Sequence, residues 1–118
     1  VVFTGDTVFV QRLLGVMPNT GLAWIRSLEY LRDRLKPGIV VPGHGHVTDL
    51  TEALRDSYDY LVLLRDSATA RFDDGAFDPV EAIEGLDQSR FSYLHNYDDL
   101  SFRSRNALHM AAELFEAR

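Results

Sequence analysis

The sequence predicts an α/β domain in which a strand, a helix and a second strand form a parallel crossover, with helices alone thereafter. Three observations predict it. Val1-Val2-Phe3-Thr4 and Ile39-Val40-Val41 are short, continuous apolar runs rich in β-branched residues, as strands covered on both faces should be. Between them, apolar residues recur at helical spacing. After Val41 no further β-type run occurs in the 118 residues.

The first strand is expected to stop at Gly5-Asp6, a turn signal. Trp24, Leu28, Leu31 and Leu35 then recur at i, i+4, i+7 and i+11, one apolar helix stripe, with Thr20 as its cap and Pro37-Gly38 as its stop. The second strand, bounded by Lys36-Pro37-Gly38 and Pro42-Gly43, completes the crossover. Asp49 and Glu52 have capping-box spacing and open a helix whose stripe runs through Leu50, Leu54, Tyr58 and Leu61, continuing to about Phe72. Asp73-Asp74-Gly75 breaks it. Asp78-Pro79-Val80-Glu81 opens a short helix that Gly85 ends, and a last helix from about Ser101 presents Leu108, Ala111 and Phe115. Residues 1–72 thus read as the α/β part and 73–118 as a helical extension packing on it.

Two strands make a marginal sheet, so missing strands are expected from absent sequence or from another chain. The start at Val1, inside an apolar run and without Met or a charged leader, reads as a chain cut from something longer. Twelve Lys and Arg against 18 Asp and Glu give a net charge of −6, which argues against a polyphosphate partner and so against nucleic acid. The absence of cysteine excludes disulfides, thiolate metal sites and Cys nucleophiles. No apolar run approaches the roughly 18 residues of a membrane span.

Both strands end in polar residues on the rim where open α/β sheets bind ligands: Asp6 after the first, His44 after the second. A carboxylate and an imidazole suit zinc and, with more variation, iron or manganese. On spacing alone the plainer readings are preferred: helix capping or turn formation for Asp6, and a structural role in the Gly43-His44-Gly45-His46 turn for His44. His46 is a candidate for supporting a metal ligand or meeting substrate, or an exposed turn histidine; Arg12 is a candidate for an anionic substrate, or a solvated surface cation. His95, among Phe91, Tyr93 and Tyr97, reads as packing of the C-terminal helices on the body. His109 reads as surface or core edge, and Asp98-Asp99 as a turn or cap.

Phe3-Thr4-Gly5-Asp6-Thr7-Val8-Phe9, followed after a helix by Val41-Pro42-Gly43-His44-Gly45, resembles the C-terminal half of the metallo-β-lactamase superfamily over about residues 1 to 70. The resemblance implies one half of a four-layer αββα sandwich, with a one- or two-metal site, commonly zinc, at the edge where the halves meet. It implies Asp6 as a bridging carboxylate and catalytic residue, and His44 as the late histidine ligand of the second metal. A complete protein of this kind would hydrolyse an ester, thioester or amide of a small-molecule substrate with metal-bound hydroxide. The family's His-x-His-x-Asp-His motif has no counterpart here, because no histidine precedes His44. This chain alone is therefore expected to be inactive until a missing N-terminal half or another chain, a second copy included, completes the site.

Asp rather than Cys at position 6 looks more like the glyoxalase II-like branch. The runs Thr7–Gly15 and Asp87–Asn96 are similar to a bacterial subgroup linked to sulfur-oxidation and quinoprotein gene neighbourhoods, which leaves cytoplasm and periplasm both open. Two alternatives remain: a di-iron oxidoreductase of the flavodiiron type, and a non-catalytic binding or assembly module with an incomplete metal site.

Overall fold

Residues 1–117 are described by a computed structural model of the protein. Strand β1 (Val2–Phe9) leads through helix α1 (Gly21–Tyr30) into strand β2 (Val40–His44). Helices α2 (Leu50–Ala53), α3 (Asp59–Asp73), α4 (Pro79–Ile83) and α5 (Leu100–Glu116) follow. The strands pair in parallel, as the crossover predicts.

β1 does not stop at Gly5-Asp6. Its register matches Phe3 with Val41, Gly5 with Pro42 and Phe9 with His44, so six steps along β1 oppose three along β2. Gly5 takes φ +53, a conformation glycine adopts without a Cβ penalty, and the extra residues form a bulge before pairing resumes. The strands are also not covered on both faces. Val8 and Val40 are fully buried, whereas Val1, Phe3 and Ile39 are 74%, 79% and 47% exposed, so one face of the sheet is open.

α1 buries Gly21, Ile25 and Leu28, and Leu31 continues this face. Leu35, expected on the stripe, is 49% exposed. The cause is local: Leu31–Leu35 is a π turn, wider than 3.6 residues per turn, which rotates Leu35 off the face. Lys36, at φ +45, then ends the helix with its N–H on the Leu31 carbonyl. Thr20 occupies the cap position but its hydroxyl donates to the Met17 carbonyl at 2.8 Å. The open N–H groups of Gly21 and Leu22 donate instead to Glu113 Oε1, at 2.9 and 3.3 Å, from the far end of the chain.

Asp49 caps α2 by accepting from the Glu52 N–H at 2.9 Å, as its spacing predicts. A second π turn, Leu54–Tyr58, joins α2 to α3 and shifts the buried face. Leu50, Leu54 and Tyr58 are only half-buried, while Ala53, Asp56, Ser57, Tyr60, Leu61 and Leu64 are buried. Asp78 caps α4 through the Glu81 N–H at 2.8 Å, and Asp99 caps α5 through the Phe102 N–H at 3.0 Å. α5 buries Asn106, Ala107, Met110 and Ala111; Leu108 is half-buried and Phe115 is 37% exposed, because α5 packs against α1, α3 and α4 together.

The core joins both parts of the chain, with Val8, Leu13, Leu28, Leu61, Phe91 and Met110 in one cluster. From the end of β1 at Phe9, residues 10–16 pass through it in neither helix nor long strand, so the backbone polar groups here need other partners. Ser57 Oγ accepts from Phe9 N–H at 2.9 Å and donates to its carbonyl at 2.7 Å. Gln11 N–H donates to Asp56 at 2.8 Å, and Gln11 and Leu13 bond the backbone of His95 at 2.9 Å each. Asn106 accepts from Val16 N–H at 2.7 Å and donates to the Leu14 carbonyl at 2.8 Å. Among the described residues, no helix is long and apolar enough to cross a membrane.

Candidate metal centre

The bulge in β1 lifts Asp6 out of the strand, and β2 ends at His44 beside it. Asp6 Oδ1 and His44 Nδ1 lie 3.4 Å apart, with side chains 80% and 46% exposed. At that separation the contact is longer than a good hydrogen bond.

Two glycines let the chain come this close. A Cβ on Gly43 would lie 2.5 Å from the Gly5 carbonyl carbon and 2.6 Å from Asp6 Oδ1, so any side chain there would drive the bulge off β2. Gly45 has φ +106, and a Cβ on it would lie 2.5 Å from the Val10 carbonyl. The imidazole of His44 stacks on Phe9, ring centroids 4.5 Å apart and planes 11° from parallel, and the His44 carbonyl accepts from Val10 N–H at 3.0 Å. Trp24 Nε1 donates to the Thr7 carbonyl at 2.7 Å, pinning the bulge to α1. An open groove of about 340 Å³, lined by Asp6, Thr7, Thr20, Ala23, Trp24 and Ser27, runs from the carboxylate along α1.

This donor pair fits a metal ion in part. Ligands at about 2.0–2.1 Å in tetrahedral geometry stand about 3.3–3.4 Å from one another. The Asp6–His44 separation of 3.4 Å matches. A structural zinc takes four ligands and a catalytic zinc three plus water. Among the described residues no group of three or more His, Cys, Asp or Glu is placed to hold a metal.

The other two candidates stand apart from this pair. His46 Nε2 contacts Glu52 Oε1 at 2.8 Å, and the Thr48 hydroxyl donates to the same oxygen. The imidazole is thus taken up by the first turn of α2. Arg12 is exposed, does not line the groove, and is held through its backbone bridge to His95. Sequence reasoning missed the ring of Phe9 beneath His44 and the Trp24 anchor. Their signal is weak, because an aromatic in an apolar run reads as core.

A buried carboxylate holds the segment that leaves β1. Asp56 is fully buried and accepts from Gln11 N–H at 2.8 Å, Arg55 Nε at 2.8 Å and the Tyr93 hydroxyl at 2.5 Å. Burial alone would push its carboxyl up. The bonds from Arg55, Tyr93 and Gln11 outweigh this and hold it below the usual carboxylate range. Burial, together with the bond to Asp56, pushes the Tyr93 phenol up to about 12.

Comparison with models of known protein families finds no match, and comparison with curated proteins finds none either. The resemblance to metallo-β-lactamases therefore rests on the Phe3–Phe9 and Val41–Gly45 runs.

Proposed function

We propose that this chain supplies the Asp6–His44 half of a metal-binding site in a hydrolase of metallo-β-lactamase type, within one half of an αββα sandwich. The observation that carries the reading is the Asp6 Oδ1 to His44 Nδ1 separation of 3.4 Å, between the bulge of β1 and the end of β2. Asp6 and His44 would hold the ion, zinc in the first instance, with iron or manganese compatible with the same donors. When bound, such an ion supplies Lewis acidity and activates water for attack on an ester, thioester or amide carbonyl.

The chain's own part in that chemistry is positioning. Phe9 holds the His44 ring flat, and the Val10 N–H fixes the backbone from which it projects. The Trp24 bond to Thr7 holds the bulge that presents the Asp6 carboxylate. The groove beside Asp6 is lined by Thr7, Thr20, Ser27 and Trp24, which would give a small-molecule substrate polar and aromatic side chains to rest against. The remaining metal ligands come from outside this chain, from an N-terminal half or from another copy. That requirement accords with the open face carrying Phe3 and Ile39, since a two-stranded sheet alone is marginal.

The test is a zinc titration of the isotopically labelled chain followed by NMR, with metal content and molar mass measured on the same sample. Weak binding is expected, perturbing Asp6 and His44 first, and Asp6→Ala and His44→Ala should each weaken it by roughly tenfold or more, about 1.4 kcal/mol. Zinc-induced shifts centred elsewhere, or affinity unchanged in both variants, would overturn the site. In the protein with its sheet completed, Asp6→Ala should abolish hydrolysis across a panel of thioesters, esters and lactones. Full activity in that variant would overturn the hydrolase reading.

A further inference from the structure

Away from the Asp6–His44 rim, α5 and the segment leaving β1 enclose a second cleft of about 270 Å³. We propose that this cleft binds a small monocarboxylate with an apolar body, its carboxylate on Arg105 and its body against Phe102, Val16 and Met17.

The walls are preformed. Asn106, 2% exposed, ties α5 to the Val16 N–H and the Leu14 carbonyl, and His109 Nδ1 contacts the Val16 carbonyl at 2.5 Å. A carbonyl only accepts, so Nδ1 carries the proton in that bond, which fixes the ring of His109 as part of the wall. Gly15 keeps the cleft open, because a Cβ there would lie 3.2 Å from Phe102 Cζ and press that ring inward. Phe102, Arg105 and His109 follow one another at helical spacing, which sets them on one face of α5. The Arg105 guanidinium stands 6.0 Å from the centre of the Phe102 ring, over the apolar floor.

Charge selects the ligand. In a chain of net charge −6, this cleft is lined by one guanidinium, that of Arg105, and by no carboxylate. Among the described residues no acidic side chain pairs with Arg105, whereas Arg32, Arg55, Arg65 and Arg90 each have one. Glu113, one turn beyond His109, is occupied by the N–H groups that open α1. An anion therefore meets an unneutralised cation beside an apolar surface, and Arg favours carboxylate through its fork of donors.

The probe is sodium benzoate, titrated into the full chain at constant ionic strength and followed by NMR, with neutral benzamide as comparison. Saturable shifts at Gly15, Val16 and His109 are expected. Arg105→Gln, a change at an exposed position, should weaken benzoate about tenfold or more, and benzamide should bind the unaltered chain about tenfold more weakly than benzoate. Arg26→Gln, at an exposed position on α1 outside the cleft, should leave binding unchanged. Shifts that scatter over the surface without saturating, equal binding of benzamide, or unaltered benzoate binding by Arg105→Gln would each overturn the proposal.

Discussion

Asn106→Ala should be among the most damaging single substitutions in this protein. The Asn106 side chain is buried, and its amide satisfies Val16 N–H at 2.7 Å and the Leu14 carbonyl at 2.8 Å while also donating to the Tyr60 hydroxyl at 3.2 Å. Tyr60 keeps its bond to Gln88 at 2.6 Å, so the loss falls on the two backbone groups. Each buried group left unpaired costs about 1–3 kcal/mol, which puts the whole at about 4 kcal/mol. That is a large share of the roughly 5–15 kcal/mol typical of a domain. With a urea m-value of about 2 kcal/mol/M, the unfolding midpoint should fall by about 2 M. Urea unfolding followed by circular dichroism measures this, with Ser104→Ala, exposed on the same helix, as a reference expected within about 0.5 kcal/mol of the parent. Amide exchange should show the Val16 N–H losing protection. A change below about 1 kcal/mol with Val16 still protected would refute the reasoning, since other groups would then be satisfying that backbone.

Three further outcomes follow from the same geometry. Gly43→Ala should destabilise by about 1–3 kcal/mol and weaken zinc binding, because its Cβ meets Gly5 backbone at 2.5 Å; Gly38→Ala, with nothing within 4 Å, is the neutral control in the same urea and zinc titrations. Glu113→Ala should cost about 1 kcal/mol, by leaving the N–H groups of Gly21 and Leu22 without their acceptor, measurable as a lower midpoint in urea. The Asp56 carboxyl titrates lower folded than unfolded, so its contribution is present above the ordinary Asp range and is lost as pH falls through the folded value. Tyr93 has the opposite sign: its contribution is complete below about 10 and fades as pH rises toward about 12. Stability measured from pH 2 to 7 should therefore show a shallower acid limb in Asp56→Asn than in the parent, and an unchanged limb would remove Asp56 from this role.

The capping signals of Asp49 and Asp78 were legible because they are local; Asp98-Asp99 read as a turn or cap, and Thr20, expected to cap α1, bonds the Met17 carbonyl instead. Asp49, Asp78 and Asp99 each cap the helix they precede through an N–H three residues on, a contact that depends on a few consecutive residues. The parallel pairing was legible too, since strand, helix and strand in succession admit few arrangements. The apolar stripes were displaced where π turns intervene, as at Leu35 and along Leu50, Leu54 and Tyr58, and nothing in 3.6-residue spacing marks such a turn.

The candidate site divides the same way. Asp6 and His44 stand out because each follows a short apolar run, although β1 continues past Asp6 to Phe9. Their closeness needed the bulge, and the bulge needs Gly43, whose role depends on a strand almost forty residues away. By itself, then, the sequence determined helix starts, strand identity and the residue types able to hold a metal, all set by neighbours along the chain. Only the tertiary structure decided the course of residues 10–16, the Glu113 cap on α1 and the orientation of His44. Each of these satisfies a buried or crowded group through a partner distant in sequence, and that partner is chosen by packing, which local spacing does not encode.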